Sequence, residues 1–171
     1  MTTDVFDLIK TKRAVREFRD EPLPDDVVRE ILNAGRLSGS SKNTQPWHFI
    51  AVRNRETLQV LATTGRYAGH LAGAALGVVI VSPDPPPAPH ALGFDLGRAA
   101  QNMMLAAWGR GVGSVVAAIY EPERAAEILG VPSGYRVEWA ISFGYPAQPM
   151  DRPPRKGGRR TFDEVVHWER W

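Results

Sequence analysis

Five uncharged polar side chains between Ser40 and Gln45 form the part of this sequence best suited to binding a small molecule. The letters are Ser-Ser-Lys-Asn-Thr-Gln, and a Pro-Trp step and a strand-like stretch, 47–52, follow them. Short hydroxyl and amide side chains beside an ordered strand can hydrogen-bond a flat ligand without adding charge. Composition alone favours a solvated loop before a strand. Both interpretations stay open at this point.

Positive charge is concentrated in two short segments. Residues 10–19 contain five basic residues and one acid, and residues 152–160 contain five basic residues and no acid, together ten of the 21 Lys and Arg. They are either two solvated charged faces or two contributions to one phosphate site. The net charge of +2 is too small to indicate nucleic-acid binding, and the aromatic residues are not interleaved with the basic ones as such a surface requires.

The absence of cysteine narrows the possible chemistry. It excludes disulfides, thiolate nucleophiles, iron–sulfur clusters and cysteine zinc sites. The four histidines show no metal-ligand spacing, and no G-x-S-x-G hydrolase motif is present. Any redox activity would therefore need a bound cofactor. We expect no metal and no membrane span, and, since the N-terminus has no signal pattern, a cytoplasmic location.

Hydrophobic periodicity and helix breakers predict interspersed helices and strands. The predicted helices cover 4–12, 24–37, 56–63, 92–108 and 122–129, and the predicted strands cover 47–52, 77–82, 114–119 and 137–143. Val5, Phe6, Leu8 and Ile9 are expected on the buried side of the first helix. Because the links between strands are not uniformly βαβ, we predict an α+β fold with a mixed sheet.

The C-terminal residues 147–171 do not fit an ordinary tail. A stretch rich in Pro, Arg and Gly leads to Thr161–Trp171, which contains Phe162, Val165, Val166, Trp168 and Trp171. Disordered segments rarely contain so many aromatic and β-branched residues. We expect one domain over 1–171 whose C-terminal arm, 147–171, is buried either on its own subunit or on a second one.

Three segments together resemble the nitroreductase family, whose members bind flavin mononucleotide (FMN). Ser40–Phe49 resembles the family signature S-S-x-N-x-Q-P-W-x-F, Lys12–Phe18 resembles R-R-S-x-R-x-F, and Arg159–Trp168 resembles the closing segment. The resemblance covers nearly the whole chain. It implies a mixed, mainly antiparallel central sheet flanked by helices, and a homodimer that exchanges the C-terminal arm and binds flavin at the subunit interface.

The resemblance also implies which residues hold FMN. The phosphate would be held by Lys12, Arg13, Arg159 and Arg160, with Ala14 beside them, and the pyrimidine edge would be contacted by Arg16. The opposite subunit would contribute Ser40, Ser41, Asn43 and Gln45. The N5 atom would lie near the backbone of Val116, Ala117 and Ala118. Ala14 stands where the family has serine, and Ala118 where some members have glutamate. The resemblance does not identify the residue of 66–70 at the N3/O2 edge. We expect no single catalytic side chain and no metal.

The function implied by the resemblance is hydride transfer from NADH or NADPH through FMN. The acceptors would be nitroaromatics, quinones or similar small molecules, reduced in a ping-pong scheme. Other readings are a flavin- or deazaflavin-binding module without turnover, a flavin-fragmenting enzyme that uses oxygen, and a basic protein associated with nucleic acid. The sequence names neither the physiological acceptor nor the preferred nicotinamide cofactor.

Overall fold

The computed structural model describes residues 4–149 and 158–171. Each predicted helix and strand is present, with ends within three residues of those expected. In chain order the elements are α1 (Val5–Thr11), α2 (Asp25–Arg36), β1 (His48–Val52), α3 (Arg55–Leu61), β2 (Leu76–Pro83), α4 (Pro89–Gly109), β3 (Gly113–Ala118), α5 (Pro122–Leu129) and β4 (Tyr135–Gly144). Two short 3₁₀ turns, Ser41–Asn43 and Gly69–Gly73, lie between them.

The strands form one four-stranded sheet in the order β1-β2-β4-β3, and all neighbours pair antiparallel. The predicted α+β class with a mainly antiparallel sheet is therefore confirmed. Strand β2 lies in the interior of the sheet, and its residues from Leu76 to Ser82 are all buried. A strand covered on both faces has no polar side to present, which explains its unbroken apolar sequence.

Helices cover both faces of the sheet and create two cores. On one face α2 and α4 bring Ile31 and Met103 against Val78 and Ile141. On the other face α3 and α5 pack against the alternate residues of the same strands, with Leu58, Ala125, Val79 and Ala140 buried together. Because side chains alternate along a strand, neighbouring residues of β2 and β4 belong to different cores.

Helix α1 corrects one expectation from the sequence. Val5, Phe6 and Ile9 are 64%, 67% and 54% exposed, and only Leu8 is partly buried. The helix begins at the expected Asp4 cap, whose side chain accepts a hydrogen bond from the Phe6 amide. The periodicity was therefore sufficient to predict the helix, but three of the four residues that it aligned, Val5, Phe6 and Ile9, remain exposed on this subunit.

The segment after α1 lies across the shared end of β3 and β4. Ala14 forms a parallel bridge with Ser114, and Phe18 forms an antiparallel bridge with Pro146. Gly113 allows this approach because a Cβ there would lie 2.7 Å from Val15 side-chain atoms. The basic segment of residues 12–16 is thus fixed to the end of the sheet.

Residues 158–171 contain no helix or strand. Thr161 donates from its amide and its hydroxyl to Glu164 Oε2, at 2.7 and 2.9 Å, and these bonds lower the pKa of Glu164. Trp168 is 77% exposed and Trp171 is fully exposed. Among the helices of residues 4–149 and 158–171, none combines the length and the apolar character needed to cross a bilayer.

Candidate functional site

Lys12 is a half-buried cation without an anionic partner among the described residues. Its Nζ lies 3.6 Å from Sδ of Met104 on α4. Burial lowers the pKa of the Lys12 ammonium because the charged form loses hydration. A thioether is only a weak acceptor. A nearby phosphate would compensate the lost hydration, so this position fits the predicted phosphate contact.

Two buried polar atoms near Lys12 are also unpaired within the part of the chain that the structure describes. They are Nε of Arg13 and Oγ of Ser114, the residue bridged to Ala14. The other end of the Arg13 side chain is occupied, since Nη1 donates to the carbonyl oxygens of Lys10 and Lys12 at 2.9 and 3.0 Å. Buried polar atoms are normally paired. Both atoms belong to the contact between the basic segment and β3, and neither has surface open to a ligand in this chain.

Arg16 and His70 form the electrostatic part of the site. Burial, and to a lesser extent the charge of Arg16, lower the pKa of His70 to about 4. His70 Nδ1 lies 2.6 Å from Oγ of Ser142, which is fully buried on β4. His70 is therefore neutral at neutral pH. His70 lies in the segment 66–70, where the sequence identified no ring contact. Its partner Ser142 is 72 positions away, so no local pattern indicated this pair.

The polar loop of residues 40–45 is an ordered structure with local backbone strain. Lys42, Asn43 and Gln45 have φ of 50°, 55° and 47°. Left-handed backbone at such residues costs about 1–2 kcal/mol each, less for Asn. The Gln45 amide donates to Ser40 Oγ at 2.8 Å, which stabilises the turn. The loop therefore has a defined backbone conformation, while the side chains of Lys42, Asn43 and Gln45 remain exposed to solvent.

The end of β3 presents small and apolar side chains. Val116 is 43% exposed and Ala118 is partly exposed, whereas Ala117 is buried. Trp139 pairs with Ala118 and is 41% exposed. Partners in an antiparallel pair share a face of the sheet. Val116, Ala118 and Trp139 together thus give one uncovered apolar patch on this subunit.

One chain brings together only part of the predicted set. Bridge Ala14–Ser114 places the basic segment beside β3, which carries Val116, Ala117 and Ala118. Arg159 and Arg160 are exposed and take part in no hydrogen bond or ion pair with another described residue. Arg152, Arg155 and Lys156 lie outside the described residues.

Within residues 4–149 and 158–171, no group of three or more His, Asp or Glu side chains is arranged to hold a metal ion.

An antiparallel sheet covered by helices on both faces, with a basic segment bridged to one end, defines an α+β protein. The family model described as "Nitroreductase family" matches residues 9–85 and 63–145. The chain therefore belongs to the nitroreductase family.

Similar proteins agree with this assignment. A protein of Archaeoglobus fulgidus named "Putative NADH dehydrogenase/NAD(P)H nitroreductase" is 32% identical, over 96% of this chain and 97% of its own. The crystal structure of a protein of that description from Parabacteroides distasonis superposes with a TM-score of 0.87 at 26% identity, covering 99% of both chains. An FMN-dependent nitroreductase from Clostridium difficile gives a TM-score of 0.82 at 26% identity, covering 96% and 98%.

Proposed function

We propose that this protein is an FMN-dependent NAD(P)H oxidoreductase that acts as a homodimer. The observation that carries the proposal is Lys12, a half-buried cation on the segment that matches the family's phosphate position. Within the described residues, the one hydrogen-bonding contact of its Nζ is with a thioether. The bound flavin supplies two-electron chemistry: hydride arrives from NADH or NADPH, and electrons leave to nitroaromatics, quinones or similar acceptors in a ping-pong scheme.

Lys12 and Arg13 would hold the phosphate from one side. A charge-assisted hydrogen bond from Lys12 would replace its weak contact with Met104. The unpaired Nε of Arg13 and Oγ of Ser114 are enclosed in this chain and are not assigned to the phosphate. Arg159 and Arg160 are proposed to complete the grip because their planar forks suit phosphate oxygens.

Arg16 and His70 would act at the pyrimidine edge of the ring. The fixed charge of Arg16 favours negative charge that develops there on reduction. His70 stays neutral and adds no competing charge. With Ser142 Oγ held against Nδ1, His70 keeps Nε2 for a further hydrogen bond. No single side chain is proposed to transfer a proton.

The remaining residues would enclose the ring without placing charge beside it. Ser40, Ser41, Asn43 and Gln45 offer hydroxyl and amide groups from the opposite subunit. The exposed patch of Val116, Ala118 and Trp139 suits a flat aromatic surface. The backbone at 116–118 is proposed to lie near N5, where the hydride arrives.

A homodimer would cover apolar side chains that one chain leaves exposed. Exposed residues on α1, Phe94 on α4 and Trp168 in the arm are too apolar to remain in water together. The outer edge of β1 has no strand partner among the described residues. We propose a single domain, 1–171, whose arm, 147–171, crosses to the partner and adds a strand. A cytoplasmic location remains a prediction.

The test is an absorbance experiment on the purified protein. A yellow protein whose flavin spectrum bleaches on NADH or NADPH under nitrogen, and recovers with nitroaromatics, quinones or enones, supports an oxidoreductase. A yellow protein that neither donor bleaches would instead be a binding module. A colourless protein that takes up no added FMN would reject flavin chemistry altogether. Release of flavin fragments on adding oxygen would favour the flavin-fragmenting enzyme.

A further inference from the structure

Helix α4 contacts the segment that precedes the polar loop and the loop itself through one row of side chains. Asp95, Arg98 and Asn102 are spaced three and four residues apart, so they lie on the same face of the helix. Asn102 Nδ2 donates to Ser38 Oγ at 2.8 Å. The guanidinium of Arg98 packs closely against Gly39, in space that a Cβ at residue 39 would occupy.

Asp95 is the buried member of this row. Its residue is 1% exposed, whereas the Arg98 side chain is 44% exposed. Asp95 Oδ2 accepts a hydrogen bond from the Ser41 amide at 2.9 Å, and Oδ1 lies 3.8 Å from Arg98 Nη1. A buried carboxylate is costly unless it is paired and hydrogen-bonded. The contact with the Ser41 amide connects α4 with the start of the loop. The contact with Arg98 places a positive charge beside the carboxylate.

The loop needs such an anchor because its backbone is strained. Lys42, Asn43 and Gln45 all adopt left-handed φ within four residues of the Ser41 amide. Strained backbone persists only where surrounding contacts hold it. The amide fixed by Asp95 stands immediately before the first of these residues. Removing the carboxylate would leave the partly buried Ser41 amide without its acceptor and release the loop at its N-terminal end.

We propose that Asp95 is a positioning residue that sets the Ser40–Gln45 loop in its ring-binding conformation before flavin arrives. The proposal rests on the proposed function, since the ligand of the loop is the isoalloxazine ring of FMN. The loop carries hydroxyl and amide groups, and no contact of Asp95 involves the Lys12 segment. The action of Asp95 is therefore on the ring and not on the phosphate.

Binding of FMN and of riboflavin, compared in one preparation, tests this assignment. Asp95→Ala should weaken both flavins equally, by about tenfold, because one buried hydrogen bond is lost. Asp95→Asn keeps an oxygen in the same place and should bind both flavins within about threefold of wild type. The visible circular dichroism of bound FMN should change in the alanine variant and return in the asparagine variant.

A control separates positioning from general loss of stability. Met103→Ala opens a cavity in the core between α4 and α2, where Met103 is fully buried and faces Gly35. It should lower the unfolding temperature at least as much as Asp95→Ala and leave both flavin affinities unchanged. Unchanged affinity and dichroism in folded Asp95→Ala would overturn the proposal. So would a loss of FMN binding with riboflavin binding unchanged.

Hydrogen exchange on flavin-free wild-type protein gives a test that needs no variant. If Asp95 presets the loop, the peptide covering residues 38–45 should already be protected and should gain little on adding FMN. Exchange at the rate of an unstructured chain, with protection only after FMN is added, would reject preorganisation. Wild-type protein that binds neither flavin would reject the proposed function itself, whereas normal wild-type binding with no effect of Asp95→Ala rejects only the role of Asp95.

Discussion

The basic segment of residues 12–16 and the polar loop of residues 40–45 contribute to the proposed site by different physics. The segment holds Lys12 half-buried and places the charge of Arg16 near a neutral His70. The loop relies on left-handed backbone and on a hydrogen bond to Asp95. The first region should respond to pH and to the phosphate of the ligand. The second should respond to the shape of the ring and to little else.

Removing residues 161–171 should abolish both contributions, because the proposed site is built across two subunits. Burial of a large apolar side chain is worth about 1.5–3 kcal/mol, so the arm could dominate the interface. We expect a monomer in sedimentation and a colourless protein. Glu164→Gln, which disturbs only the local turn with Thr161, should remain dimeric and yellow. A truncated dimer that keeps its flavin would show that the arm is not the link.

Replacing Lys12 should show most directly that the two regions contact different parts of the flavin. Lys12→Met keeps much of the side-chain volume and removes the charge. It should weaken FMN ten- to a hundredfold, for a lost interaction of roughly 1.5–3 kcal/mol, and leave riboflavin nearly unchanged. Asn43→Ala in the loop is the matched comparison and should weaken the two flavins equally. A fluorescence titration in which Lys12→Met weakens both alike would remove Lys12 from the phosphate site.

His70 should make the stability of the flavin-free protein depend on pH. Its pKa is about 4 in the folded protein and about 6.5 when unfolded. Between these values the unfolded state binds more protons, so stability rises with pH from about 4 to 6.5 and is lost as pH falls. For this partly exposed ring we expect a change of about 2 kcal/mol. His70→Asn should flatten that part of the urea-denaturation profile, and an unchanged slope would contradict the assignment.

Arg16→Met should lower the two-electron potential of bound FMN. The reduced flavin loses a nearby positive charge, and a loss of about 1.4 kcal/mol corresponds to about 30 mV for two electrons. Dye equilibration on protein that still holds FMN gives the value. Asn43→Ala should leave the potential unchanged, since the loop contributes no charge. A potential that stays the same or rises in Arg16→Met would place Arg16 away from the ring.

The smallest expected effect is a change in the pH dependence of FMN binding. Burial lowers the pKa of free Lys12 below 10.5, and a bound phosphate would raise it again. FMN affinity should therefore be full below the pKa of free Lys12 and fall as pH rises through it, whereas riboflavin shows no such fall. Lys12→Arg stays charged and should remove the slope. A slope retained in this variant would assign the titration to another group.

The sequence alone determined the elements, the fold class and the motifs. Helical periodicity after Asp4 and Pro24 was sufficient for α1 and α2, and the apolar run ending at Ser82 was sufficient for β2. These signals are local, since they depend on residues a few positions apart. The resemblance to the nitroreductase family rested on three such segments, and the family match confirmed it.

Tertiary structure decided which side chains meet and which remain uncovered. The contacts His70–Ser142 and Ser41–Asp95 join residues 72 and 54 positions apart, and no periodicity connects them. The same limit explains the error at α1, where Val5 and Phe6 have the right spacing for a core but remain exposed. Periodicity reports that a face is apolar; only the packed chain shows whether its own subunit covers that face.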